Sequence, residues 1–105
     1  MAYHDRAFEA LGDSTRRTIF ERLGRGPMAV VDVAHDLPVS RPAVSQHLKI
    51  LMNAGLVTVH RRGARNLYQM DPKGISAMRD YLDGMWDAVL HAFKVVAESE
   101  AKGHL

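Results

Sequence analysis

Apolar positions repeat with two different periods along this chain, and the change of period divides it into elements. Ala7, Phe8 and Leu11 have helical spacing and stop at Gly12, a C-cap residue. Asp13 or Ser14 supplies an N-cap for a second helix, in which Ile19, Phe20 and Leu23 follow at i, i+1 and i+4 until Gly24 and Gly26 end it. Pro27-Met28-Ala29 reads as a short extended connector. Val30, Val33, Ala34 and Leu37 form one stripe on a helix of about two turns, which Pro38 cannot continue. A further helix takes Ser40 as N-cap and accepts Pro42 in its first turn, where no backbone donor is lost. Its buried side is Ala43, Val44, Leu48 and Leu51, and Gly55 closes it.

The period then falls to two. Val57 and Val59 alternate with Thr58 and His60, and Tyr68 and Met70 alternate with Leu67 and Gln69, so both runs read as half-buried strands. Arg62-Gly63-Ala64-Arg65 lies between them as a hairpin tip, with Gly where a positive φ is needed. From Pro72 to Glu100 no further Pro interrupts a last, long helix. The predicted fold is mainly α with a small β-hairpin, in the order α-α-(short β)-α-α-β-β-α, as one domain over residues 1–105.

Composition narrows the classes. With 105 residues, 47% of them hydrophobic, the chain has room for one core and is not disordered throughout. The absence of Cys excludes a disulfide framework, a thiolate metal site and a cysteine nucleophile. No stretch approaches the roughly 18 apolar residues of a membrane span. Met1 to Arg6 has neither an apolar signal core nor a cleavage site, so the expected location is cytoplasmic, away from membranes. No cofactor is expected, and no Gly-x-Ser-x-Gly, phosphate loop or His-Glu-x-x-His motif points to an enzyme.

Charge changes the picture more. The formal net charge of +2 hides an acid-free interval between Asp36 and Asp71 that carries Arg41, Lys49, Arg61, Arg62 and Arg65, with His47 and His60. Such a block suits an anionic partner, nucleic-acid phosphate above all. The turn at Leu37-Pro38-Val39 joins two short helices, which makes a helix-turn-helix candidate. On the second of these, Ser40, Arg41, Pro42, Ser45, Gln46, His47 and Lys49 lie opposite or beside the apolar row. Gln pairs bidentately with adenine, Arg or Lys with guanine, and Ser or His reaches a base edge or a phosphate. The helix N-terminus adds backbone donors toward phosphate. Beyond it, His60, Arg61, Arg62, Gly63 and Arg65 make a basic ribbon suited to a minor groove or a phosphate run. Double-stranded DNA is therefore the expected partner. A protein–protein adaptor on the same fold would be expected to carry acids on this helix, which has none between Ser40 and Asn53.

These residues resemble the ArsR-type (ArsR/SmtB) winged helix-turn-helix repressors. The likeness rests on Ala10-Leu11-Gly12-Asp13-Ser14-Thr15-Arg16-Arg17 and on Pro38-Val39-Ser40-Arg41-Pro42-Ala43-Val44-Ser45-Gln46-His47-Leu48-Lys49. It continues through Ala54-Gly55-Leu56-Val57 and Arg62-Gly63-Ala64-Arg65 with Tyr68, and so covers nearly the whole chain. It implies a homodimeric transcriptional repressor that binds an inverted repeat and leaves it on an inducing signal. It also implies a helix-turn-helix over residues 30–54 and a wing over 56–70. Leu37 to Leu48 is similar to a subgroup often associated with START-like ligand-binding proteins.

The last helix argues for the dimer independently. Ile75, Leu82, Val89 and Val96 recur every seven residues, with Met78, Met85 and Ala92 between them, and Tyr81, Trp86, Leu90 and Phe93 widen the seam. One stripe closes an intramolecular core, and the surplus calls for a partner. Met78, Leu82, Met85, Trp86, Val89 and Phe93 are the predicted contacts, joined, as the resemblance implies, by Phe8 and Leu11. The dimerisation segments would be 3–12 and 72–100. Two reading helices about 34–36 Å apart predict a palindromic operator and steric repression.

The inducer is not legible. Family members that sense metal through thiolates carry paired Cys in the helix-turn-helix, and Val31-Asp32-Val33-Ala34-His35 has none. Asp83, Asp87 and His91 share one face of the last helix and could ligate Zn²⁺ or Ni²⁺ in a metal-responsive alternative, but the family's Asp-x-His spacing is absent, so no metal site is assigned. His4, His35 and His104 read as surface residues, and the six Met residues as packing.

Overall fold

Helix boundaries follow the punctuation of the sequence, reinforced by arginines reaching across to open helix ends. The structure, a computed structural model, describes residues 3–103. Helix α1 (Tyr3–Ala10) is closed by the Gly12 N–H on the Glu9 carbonyl (3.1 Å) and by Arg16 Nε, which donates to the Ala10 carbonyl at 2.6 Å. Arg17 donates to the Leu11 carbonyl (3.2 Å), so two cations sit at the negative end of the helix dipole. Helix α2 (Ser14–Arg22) starts at Asp13, whose carboxylate accepts from the Arg16 N–H at 2.9 Å. That backbone hydrogen bond, followed by the charges of Arg16 and His47, holds the Asp13 carboxyl below its ordinary value of 3.8. A 3₁₀ turn, Leu23–Arg25, leads to Gly26 at φ 134°, and Met28 then pairs with Tyr68 as the short β segment.

Helix α3 (Val30–Val33) is shorter than the two turns its apolar stripe predicts. The Arg22 guanidinium takes the carbonyls of Val33 and His35, and Asp36 turns the chain away at φ 62°. Carbonyls claimed in this way no longer serve a continuing helix. Helix α4 (Arg41–Asn53) begins at Ser40, whose Oγ accepts from the Ala43 N–H at 3.2 Å, with Pro42 in the first turn. Gly55, at φ 76°, ends it in the left-handed conformation expected of a C-terminal glycine.

Strands β1 (Val57–Arg62) and β2 (Arg65–Met70) pair antiparallel, Val57 opposite Met70 and Arg62 opposite Arg65. Gly63, first of the two loop residues, adopts φ 64°. Val59 does not lie on a buried face: Val57 is 3% exposed and Val59 41%. The hairpin leaves the core beyond Thr58, so alternation there has nothing to pack against. Residues 67–70 are half-buried on both faces, at the foot of the hairpin.

The core gathers Ile19, Phe20, Val33, Val44, Leu48, Leu51 and Leu56 from α2, α3, α4 and the approach to β1. Helix α5 (Pro72–Gly103) docks on it through a close approach. Gly74 is buried, and a Cβ there would lie 2.3 Å from the Gly55 carbonyl oxygen. Phe8 is half-buried against Tyr81 (ring centroids 5.7 Å apart), and Leu11 and Met78 pack partly on this chain's own core. His4 departs from its surface reading, because α1 lies along α5 and its imidazole stacks on Tyr81 at 4.2 Å. His35 is exposed, and His104 lies outside the described residues. From Arg79 to Gly103 every position of α5 is exposed, and the molecule measures 73 × 26 × 26 Å. Among the described residues no helix is long and apolar enough to cross a membrane.

Gly74→Ala is expected to destabilise the fold by about 1–3 kcal/mol through overpacking against backbone. Gly84→Ala, with nothing within 4 Å of its Cβ, is expected to be neutral or to stabilise by up to about 1 kcal/mol. Urea unfolding of the two variants checks the contrast.

Candidate nucleic-acid interface

The apolar row of α4 fixes which side chains face outward. Val44, Leu48 and Leu51 have no exposed surface, and this anchors the helix in one rotational setting. Arg41, Pro42, Ser45, Gln46 and Lys49 are then all exposed, and Ser40 stands exposed at the N-terminal cap. No acid interrupts this surface between Ser40 and Asn53. His47 does not join them fully. It is half-buried, and its Nδ1 lies 3.5 Å from Nη1 of Arg16 on α2.

The hairpin carries the second basic surface. Arg61, Arg62, Gly63 and Arg65 are exposed at its tip. Arg61 Nε donates to the Gly63 carbonyl at 3.3 Å, which steadies the turn. Lower down, Gln69 Nε2 donates to His60 Nε2 at 2.8 Å across the strands. Arg65 is engaged: its Nη2 donates to Asp32 Oδ2 at 2.8 Å, tying the wing to α3. Sequence reasoning missed Asp32, because a pairing across 33 residues leaves no local signal. It also missed Arg16, Arg17 and Arg22 as clamps on helix ends. For Arg16 and Arg17, their place soon after the end of α1 was the available hint.

On α5, Leu82, Met85, Trp86, Val89 and Phe93 are 43–70% exposed, while Phe8, Leu11 and Met78 are half-buried within the chain. Asp83 lies 3.8 Å from Arg79, and among the described residues no three His, Asp or Glu side chains gather closely enough to hold a metal ion.

Comparison with known proteins places this geometry. A sequence profile of the "Bacterial regulatory protein, arsR family" matches residues 13–59. The HTH-type transcriptional regulator Rv2034 of Mycobacterium tuberculosis is 53% identical over 96 residues, 91% of this chain and 90% of that protein. The chain belongs to the arsR family. Transcriptional repressor SdpR of Bacillus subtilis is 38% identical over 61% of this chain and 71% of its own length. Among solved structures, a homodimeric winged helix-turn-helix DNA-binding domain from Mycobacterium bovis, described as a possible ArsR-family regulator, superposes with a TM-score of 0.65. It shares 25% identity over 81% of this chain and 79% of that one. The arsR-family chain is thus a transcriptional regulator with a winged helix-turn-helix fold, and not an enzyme.

The Asp32–Arg65 pair is more than half exposed on both sides and is worth little by itself. A double-mutant cycle of Asp32→Ala and Arg65→Ala is expected to give a coupling of about 0.2–1 kcal/mol in urea unfolding, shrinking as salt rises.

Proposed function

We propose that this regulator is a homodimeric repressor that binds a palindromic operator in the cytoplasm and leaves it on an inducing signal. The observation that carries the reading is the acid-free polar face of α4, held outward by a buried apolar row beside a basic hairpin. Helix α4 enters the major groove. Gln46 and Ser45 read base edges, with Arg41 and Lys49 flanking them. Ser40 and Pro42 bring the helix N-terminus to a phosphate, and His47 assists from its half-buried place. The wing, residues 56–70, follows the backbone with Arg61, Arg62 and the close approach permitted by Gly63. Arg65 is shared between Asp32 and phosphate. The names of relatives such as the repressor SdpR support the repressive sign. The segment Leu37 to Leu48 supports the subgroup associated with START-like proteins.

Two copies join through residues 3–12 and 72–100. Leu82, Met85, Trp86, Val89 and Phe93 form the seam, flanked by Phe8, Leu11 and Met78. The support is the exposed apolar length of α5, together with the homodimer described for the Mycobacterium bovis domain.

Selection of duplexes from a random library with the purified protein tests the whole reading: enrichment of an inverted repeat is expected, and no affinity for any duplex at low ionic strength overturns it. On the selected site, Gln46→Ala is expected to relax sequence preference with a loss of about 1–3 kcal/mol. Arg62→Ala is expected to weaken all duplexes alike and to reduce the salt slope by about one. Band shifts across salt concentrations check both. Val89→Asp is expected to yield monomers in sedimentation velocity, because the seam would bury an unpaired carboxylate.

A further inference from the structure

A cavity of about 380 Å³ opens where α1, α2 and α4 meet, lined by Arg6, Glu9, Ala10, Arg16, Ile50, Asn53 and Ala54. Its volume lies within the ~300–1,000 Å³ in which small molecules bind. Arg6 and Glu9 are exposed on one face of α1, and neither side chain has a partner among the described residues. Arg16 is fixed in the wall by its Nε bond to the Ala10 carbonyl at 2.6 Å, with Nη1 beside His47. Ala10, Ile50 and Ala54 supply an apolar floor. The walls carry two guanidinium groups and one carboxylate, and so favour a single negative charge on an apolar body.

We propose that this cavity is an effector site for a small organic carboxylate. The inference deepens the regulator reading and rests on it. The carboxylate sits between Arg6 and Arg16, and the apolar body lies against Ile50 and Ala54. Asn53 offers both a donor and an acceptor to a polar substituent. A backbone phosphate of DNA fits less well, since the apolar floor leaves its sugar without polar partners.

The position explains how an occupant would act on binding. Helix α1 and the turn that follows it carry Phe8 and Leu11 of the proposed dimer contact. On α4, Ile50 and Asn53 continue the row of Gln46 by one and two turns. Arg16 touches His47, the residue after Gln46. A ligand that alters the spacing of α1 from α4 alters the separation of the two reading helices. One that draws on Arg16 also changes the charge facing His47. Both effects give the ligand a different affinity for the DNA-competent arrangement, which is the requirement for regulation.

The test uses the full chain, ¹⁵N-labelled, titrated with 2-naphthoate and, as an uncharged match, 2-naphthamide. Saturable amide shifts centred on Ala10, Arg16, Ile50, Asn53 and Ala54 are expected, with 2-naphthamide at least tenfold weaker. Arg6→Glu is expected to weaken 2-naphthoate by a similar factor, and Ile50→Trp to fill the cavity. Shifts absent or centred on the apolar face of α5, equal binding of the amide, or indifference to Arg6→Glu overturn the site. Saturating 2-naphthoate is expected to weaken a library-selected duplex on the order of fivefold or more. Binding that leaves duplex affinity unchanged overturns the effector role. If Arg6→Glu weakens the duplex as much as Arg62→Ala does without any naphthoate, the cavity is a phosphate contact and the proposal fails. The titration needs no DNA, so failure of the site and failure of the DNA-binding reading are separately visible.

Discussion

Burial of Val44, Leu48 and Leu51 is the interaction on which the rest depends. These side chains have no exposed surface, and each contributes on the order of 1.5–3 kcal/mol by leaving water. Turning α4 by one residue would put Ser45 and Lys49 toward the core and expose the leucines. That cost leaves the helix one orientation, and the outward face follows from it without any further device. The same row carries Ala54 into the turn at Gly55, so the seat of α4 also sets where the hairpin begins.

Arginine serves two purposes in this small fold. Arg16, Arg17 and Arg22 close helix ends by taking carbonyls that would otherwise lack donors. Arg41 and Arg62 stand exposed, their side chains without partners among the described residues. Arg65 lies between these groups, paired with Asp32 yet more than half exposed. Total positive charge is therefore a poor guide to how much of it is available to a polyanion.

Elements governed by local rules were legible in the sequence. The Ser40 cap, Pro42 in a first turn, the left-handed Gly55 and the glycine-first loop at Gly63 each follow from one or two residues. What escaped depends on neighbours far along the chain. The stripe from Val30 to Leu37 has helical spacing, but Arg22 claims its carbonyls and shortens it. Val59 alternates correctly in a strand that has already left the core. His4 reads as a surface residue until α5 brings Tyr81 beneath it. The outward polar face of α4 was visible because apolar periodicity defines its opposite. The wing's tie to Asp32 was not, because a single ion pair leaves no periodic trace.

The contact between Gly74 and the Gly55 carbonyl makes α5 a lever with a very short fulcrum. Its 32 residues form a rod of about 48 Å. A tilt of about 10° at the glycine swings the far end by roughly 8 Å over such a rod. Without a side chain at that point the rod sits flush on backbone, and its bearing is set by main-chain atoms that have no rotamers to change. Angular precision at one residue is thereby converted into positional precision at the opposite end of the molecule.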